Sequence, residues 1–141
     1  MIKDSLVTKT QALALKELGF AEPVAHGIYY KGNIGVWMPV NLNDSYHRAE
    51  WTSVPTVDEV IDWLRRKYNI VIYNKIEPFV DPTDESHKTI LFKYGVKRCD
   101  VNHLGWNGRM DLGTTRLAKN VYSLKRESIN IALKYIKSQK R

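Results

Sequence analysis

The sequence predicts an α+β fold: a small antiparallel sheet with helices on one face, in the order α–ββ–α–ββ(β)–α. Three observations predict it. Residues 9–18 and 57–68 have helical periodicity with cap signals, and a third amphipathic stretch closes the chain. Between these lie segments rich in β-branched and aromatic residues, bounded by Gly, Asn and Pro. Finally, 43% of the 141 residues are apolar, with Trp37, Trp51, Trp63 and Trp106 among them, which suffices for a core. No repeat, low-complexity tract or long linker interrupts the chain, so residues 1–141 read as a single domain.

The first helix covers residues 9–18. Thr8 and Gln11 have the spacing of a capping box, and Gly19 follows where a C′ glycine belongs. Its apolar side, Ala12, Ala14, Leu15 and Leu18, is small, so the helix must dock to persist. "GIYYKGNIGVW" (27–37) reads as a hairpin around Lys31-Gly32-Asn33. Residues 39–55 are dense in Asn, Ser and Asp and read as loop, with room for a short strand near Trp51. In the second helix, 57–68, Thr56 and Glu59 form another capping box. Val57, Val60, Ile61, Leu64 and Tyr68 recur at helical spacing, and Asp62 lies three and four residues before Arg65 and Arg66.

Residues 69–77 and 88–97 read as two strands of a long-looped antiparallel hairpin, and "PFVDPTDES" as the loop. "GWNGR" (105–109) reads as a turn leading to a third strand within 110–122. The last helix takes Ser123 as its N-cap. Leu124, Ile129, Ile131, Ala132, Leu133, Tyr135 and Ile136 cover about half its circumference. Arg126, Asn130, Lys134, Lys137 and Arg141 share the opposite arc.

Charge is the most informative feature. Residues 1–111 hold fourteen Lys/Arg and fourteen Asp/Glu, whereas residues 112–141 hold eight basic residues and one acid, Glu127. The net charge of +7 therefore lies in the last thirty residues. A local field of one sign favours anionic partners; a solvated face plus a basic tail is the plainer account of the same run.

Little points to catalysis. Cys99-Asp100-x-x-His103 is the one local group of potential metal ligands, and zinc needs a second half-site that the sequence lacks. A Cys99–His103 nucleophile pair has no supporting signature. Asp81, Asp84 and Glu85 do not have the spacing of a calcium loop. Glycine-rich phosphate loops, nucleophile elbows and HExxH are absent. The expectation is a protein that is not an enzyme and has neither metal nor cofactor. A single cysteine, no secretion signal and no long apolar run point to the cytoplasm and away from membranes.

"TKTQALALKELGF" (8–20) and "PTVDEVIDWLRRKYN" (55–69), with the strand–loop–strand that follows, resemble a group of small uncharacterised proteins of phages and prophages of Bacteroidota. "GWNGR" is similar to a turn in one phage anti-defence family. The α–β–β–β–α order is also that of double-stranded-RNA-binding domains, a likeness of topology alone. The resemblance implies a phage-derived accessory protein in a bacterial host and transfers no site residue.

Two functions follow from the residues. The first is nucleic-acid backbone binding through Arg116, Lys119, Lys125, Arg126, Lys134, Lys137 and Arg141. Lys125 and Arg126, near a helix N-terminus, oppose the helix dipole unless phosphate bridges them. The second is a protein-interaction module (an inhibitor, an adaptor or a self-associating component) that uses the same basic arc on an acidic surface. Its anchors would be Tyr30, Trp51 and Trp63. Trp63 lies at the edge of its helix's apolar arc, where a core position is the commoner outcome.

Overall fold

The structure, a computed structural model, describes residues 5–29, 34–40, 43, 51–75, 79–80, 90–102 and 105–139. The elements run α1 (Lys9–Glu17), β1 (Val24–Tyr29), β2 (Ile34–Val40), β3 (Trp51–Ser53), α2 (Val57–Tyr68), β4 (Ile70–Asn74), β5 (Phe79–Val80), β6 (Ile90–Leu91), β7 (Tyr94–Asn102), β8 (Gly105–Thr114) and α3 (Val121–Gln139). This is the α+β class in the expected order. The strands are divided between two three-stranded antiparallel sheets, β2-β1-β3 and β4-β7-β8, with β5-β6 a short ribbon. By internal contacts the chain forms two compact units, Met1–Glu59 and Val60–Arg141.

In the first unit the α1 capping box is complete. The Thr8 hydroxyl accepts from the Gln11 N–H, and the Gln11 side-chain Oε1 accepts from the Thr8 N–H, both at 3.1 Å. The helix ends on Leu18, and Gly19 takes φ 87°, a left-handed value that a Cβ would resist. Ala12 and Leu15 turn inward, as do Phe20, Val24, Val54 and Val57. The predicted hairpin is present, Gly27 facing Gly35 and Ile28 facing Ile34. A short strand does form at Trp51, on the other edge of β1. Asn43 donates to the Phe20 carbonyl at 3.0 Å and accepts from the Ser53 N–H at 2.9 Å.

Helix α2 starts at a second complete capping box, Thr56 with Glu59. Val57, Val60, Trp63 and Leu64 are buried. Asp62 binds both arginines on the exposed face, Arg65 Nη2 and Arg66 Nε each at 2.8 Å.

In the second unit β4 pairs with β7 from Ile70↔Arg98 to Asn74↔Tyr94, and β5 with β6 through Phe79↔Leu91 and Val80↔Ile90. The antiparallel pairing expected from the sequence is present, but Phe79 and Val80, read there as part of the "PFVDPTDES" loop, are strand residues because β6 supplies a partner for them, and the second arm breaks between Leu91 and Tyr94. Phe92 turns its backbone to Ala118 instead, donating at 2.7 Å and accepting at 3.1 Å.

"GWNGR" is not a turn. It lies within β8, which pairs with β7 from Asn102↔Gly105 to Gly95↔Thr114. The register shifts between Asp100, opposite Gly108, and Val101, opposite Trp106, which leaves Asn107 as the additional residue beside Gly108, a usual place for glycine in a strand, while Gly105 pairs with Asn102 at the start of β8. Cys99 and Asp100 are strand residues in β7 rather than loop residues.

A second shift, between Val96 and Lys97, leaves Leu112 as the additional residue. Gly113 there has φ 152°, and a Cβ on it would come within 3.0 Å of Ile131 of α3. The Asp111 carboxylate closes this bulge by accepting from the Gly113 N–H at 3.1 Å. Helix α3 packs across β4, β7 and β8. Its buried stripe is Leu124, Ser128, Ile129, Ala132, Leu133 and Ile136. Ser128 is in this stripe because its hydroxyl donates to the Leu124 carbonyl at 2.9 Å.

Two outcomes are expected. Leu64 is fully buried, so Leu64→Ala should destabilise by about 2–5 kcal/mol. Urea unfolding would show this as a lower midpoint at unchanged slope. The hydrogen bonds from Arg65 and then Arg66 hold the Asp62 carboxyl below its ordinary 3.8. A group depressed on folding stabilises above its unfolded value and loses that contribution as pH falls through the folded one. An NMR titration should place the Asp62 midpoint below 3.8, and Arg65→Gln should move it back up.

Candidate functional site

The candidate site is the outward face of α3. The helix begins three residues earlier than the sequence suggests, because Asn120 caps it. The Asn120 side-chain carbonyl accepts from the Ser123 N–H at 3.0 Å and its backbone carbonyl from the Leu124 N–H at 3.1 Å. Ser123 is therefore inside the first turn and is not the cap. Lys125 and Arg126 become the fifth and sixth residues of the helix. They lie beyond the first turn, where the opposing dipole is felt most, so no bridging phosphate is needed to explain them.

Positions 126, 130, 134 and 137 line the side of α3 opposite its buried stripe. Lys134, Lys137 and Asn130 on this arc are exposed, as is Lys119 just before the helix. Arg126 is half-buried. Lys125 is too, with its ammonium 6.0 Å from the centre of the Tyr122 ring.

Arg116 does not belong to this open set. Its guanidinium Nε donates to Glu127 Oε2 at 3.1 Å, its backbone N–H donates to Glu127 Oε1 at 3.2 Å, and its Nη2 reaches the Ser123 hydroxyl at 3.5 Å. The one acid of the last thirty residues thus serves to dock the approach to α3. The Arg116 side chain is still 66% exposed, so its charge faces both Glu127 and solvent. A cation pointing at a carboxylate already in place has less attraction left for a phosphate.

The interface anchors fare differently. Trp63 is 4% exposed and packs edge-on to Tyr68 with ring centres 5.5 Å apart, so it is a core residue and not a surface anchor. A tryptophan at the margin of an apolar arc buries more area by leaning inward than by facing water. Trp51 lies in β3, with its side chain outside the described residues, as are Tyr30 and Arg141. His103 is likewise outside them. Among the described residues no group of three or more His, Cys, Asp or Glu could hold a metal ion, and no helix is long and apolar enough to cross a membrane.

Sequence reasoning missed a second feature of this unit, a cleft of about 330 Å³ at the C-terminal ends of α2 and α3. Lys67 and Tyr68 line it from α2, Asn69 from the position after that helix, Arg98 from β7, and Tyr135, Ile136 and Gln139 from α3. Arg98 is oriented by a hydrogen bond to the Tyr135 hydroxyl, with its guanidinium carbon 6.0 Å from that ring's centre. Lys67 lies 5.3 Å from the Trp63 ring centre and 5.9 Å from that of Tyr68. These residues are dozens of positions apart, so no spacing in the chain announces them. A third cationic–aromatic group, Tyr73, Lys75 and Lys97, occupies the face of the sheet turned from α3. There Lys97 sits 4.7 Å from the Tyr73 ring centre and Lys75 donates to Thr114 at 2.9 Å.

No family model, curated protein or solved structure matches this chain.

The Arg116–Glu127 pair is open to solvent, the side chains being 66% and 35% exposed. A double-mutant cycle with Arg116→Gln and Glu127→Gln should therefore give a coupling below about 1 kcal/mol.

Proposed function

We propose that this chain is a small non-catalytic module that binds the backbone of nucleic acid through the outer arc of α3, as a phage-derived accessory protein in a bacterial cytoplasm. The segregation of charge carries the reading. The excess of +7 is confined to the last thirty residues, and their one carboxylate is engaged by Arg116 at the base of the helix. Lys134 and Lys137, one turn apart on the arc, point away from the sheet, with Lys119 exposed below them. A row of cations along a helix matches the regular spacing of phosphates and draws affinity from the release of their counterions.

A second reading, an acidic protein surface as partner, draws on the two large apolar side chains beside the start of the arc. Leu117 is 43% exposed and Tyr122 38%. An apolar contact ringed by cations suits a protein surface as well as a polyanion.

A fluorescence titration with labelled duplex and single-stranded oligonucleotides at two salt concentrations separates the readings. Backbone binding should weaken with a log–log salt slope of about −5, corresponding to five or six phosphates neutralised. The Lys134→Glu/Lys137→Glu variant should lose most of the affinity while keeping its melting temperature. Absence of binding to either oligonucleotide at low salt would eliminate nucleic acid and leave the protein partner.

A further inference from the structure

We infer that the open face of the β4-β7-β8 sheet holds a site for an unpaired guanine of single-stranded nucleic acid, read by Lys97 and Asp111 beside the Tyr73 ring. The inference takes its class of partner from the backbone reading above but uses the opposite side of the unit, so either can fail alone. Helix α3 covers the face that carries Ile70 and Val96. Strand alternation puts Tyr73, Lys97 and Asp111 on the other face.

With Lys75, these residues line a hollow of about 370 Å³, within the range of small-ligand sites. A glycine makes room for its floor. Gly95 faces Tyr73 across the ladder, and a Cβ on it would lie 2.6 Å from the end of the Tyr73 ring. Without that Cβ the ring lies over β7, where Gly95 is buried and Tyr73 stays half-exposed. A ring held on a sheet is a platform on which bases stack.

The choice of base comes from a cross-strand pair. Lys97 and Asp111 are direct partners in the ladder, so their side chains stand side by side. Their contacts are with other groups. The Lys97 ammonium rests 4.7 Å from the Tyr73 ring centre. The Asp111 carboxylate accepts from the Gly113 N–H at 3.1 Å, which uses one of about four lone-pair positions. A base laid on the ring moves the flexible lysine from the ring to the base's edge. The pair then offers a donor next to a group that only accepts. The Watson–Crick edge of guanine is the complement: O6 accepts, and N1–H and the N2 amino group beside it both donate. Adenine and cytosine bring one donor group, and the one donor of thymine lies between two carbonyls that face the carboxylate.

Lys75 supplies a phosphate contact. Its ammonium is oriented by the Thr114 hydroxyl at 2.9 Å, a neutral acceptor, and its backbone N–H is fixed to the Lys93 carbonyl at 2.8 Å. Among the described residues the hollow holds two cations and one carboxylate, so a strand's phosphate is still attracted. A guanine paired in a duplex has this edge occupied, so only unpaired bases enter.

The test uses the full chain and fluorescence anisotropy at low salt. The probes are labelled strands of about twelve thymine nucleotides, one unaltered and three with a central guanine, adenine or cytosine. The guanine strand should bind about tenfold more tightly than the others, the worth of one good bidentate base contact. Asp111→Asn keeps an acceptor for the Gly113 N–H but turns the other oxygen into a donor. Lys97→Gln removes the ammonium. Each should abolish most of the guanine preference and leave affinity for the all-thymine strand within about twofold, since at most one phosphate contact is lost. Lys134→Glu/Lys137→Glu should weaken all four strands alike and leave the ratio intact, because the arc reads no base edge.

Equal affinity for the four strands overturns the inference and leaves the backbone reading standing. A guanine preference that both sheet variants retain also overturns it, since the base is then read elsewhere. If no strand binds, the backbone reading has failed, and the monophosphates of guanosine, adenosine and cytidine decide the site. NMR shifts of the Tyr73 ring with guanosine monophosphate alone would support it. Lines that stay in place, or that move equally with all three, would sink it.

Discussion

The burial of one side of α3 on the β4-β7-β8 sheet is the constraint on which the rest of the second unit depends. Leu124, Ile129, Ala132 and Ile136 are all but sealed from solvent, as are Ile70 and Val96 of the sheet. Each large side chain removed from water in this way contributes about 1.5–3 kcal/mol. A helix this long has a single rotational setting that buries such a stripe, so the setting also decides what faces outward. Lys134 and Lys137 are exposed because Leu133 and Ile136 are not. The approach is close enough to require a glycine. At Gly113 the strand bulges, the backbone takes a left-handed φ, and the space a Cβ would fill belongs to Ile131. The bulge, the glycine and the helix are one device, with the Asp111 carboxylate closing its local turn.

The approach to α3 is held from two directions. On one side the segment before the helix joins the sheet. Phe92 and Ala118 exchange backbone hydrogen bonds, and the buried Thr115 hydroxyl accepts from the Tyr94 N–H at 3.0 Å while donating to the Arg116 carbonyl at 3.0 Å. On the other, Glu127 reaches back to the Arg116 backbone and side chain. This use of the lone carboxylate makes the charge of α3 one-signed beyond its second turn. Helix α2 differs. Asp62 answers Arg65 and Arg66, and the helix has acids in its first turn and bases in its last, the arrangement that suits the macrodipole. Helix α2 has three acids and three bases along its length, whereas α3 has one acid, Glu127, among its lysines and arginine.

The same packing creates the cleft. Arg98 pairs with Ile70 across the sheet and therefore projects on the side where Ile70 is buried and α3 packs. Tyr135, on the flank of the buried stripe, meets it there. The αL residue Asn69 lets the chain pass from α2 into β4 without a loop, which keeps Lys67 and Tyr68 beside that meeting point. Basic arc and cleft therefore share α3 and lie within the same unit of the chain.

The sequence by itself determined the elements whose causes are local. Both capping boxes, the hairpin of β1 and β2, the bounds of α2 and the two faces of α3 follow from side chains within a turn or two of one another. So does the concentration of charge at the end of the chain. What only the tertiary structure decided depends on partners distant in sequence. "GWNGR" carries turn residues, yet β7 pairs with it as a strand and the irregularity is confined to one additional residue, Asn107, beside Gly108. Residues 88–97 look like one strand, but Ala118 competes for Phe92 and splits it. Asn120 displaces Ser123 as the cap because the preceding segment is pinned to the sheet. Trp63 turns inward, Arg116 finds Glu127 eleven residues on, and Lys67, Arg98 and Tyr135 converge on one cleft. Spacing along a chain reports neighbours on an element, whereas burial and convergence depend on how elements pack, which spacing does not encode.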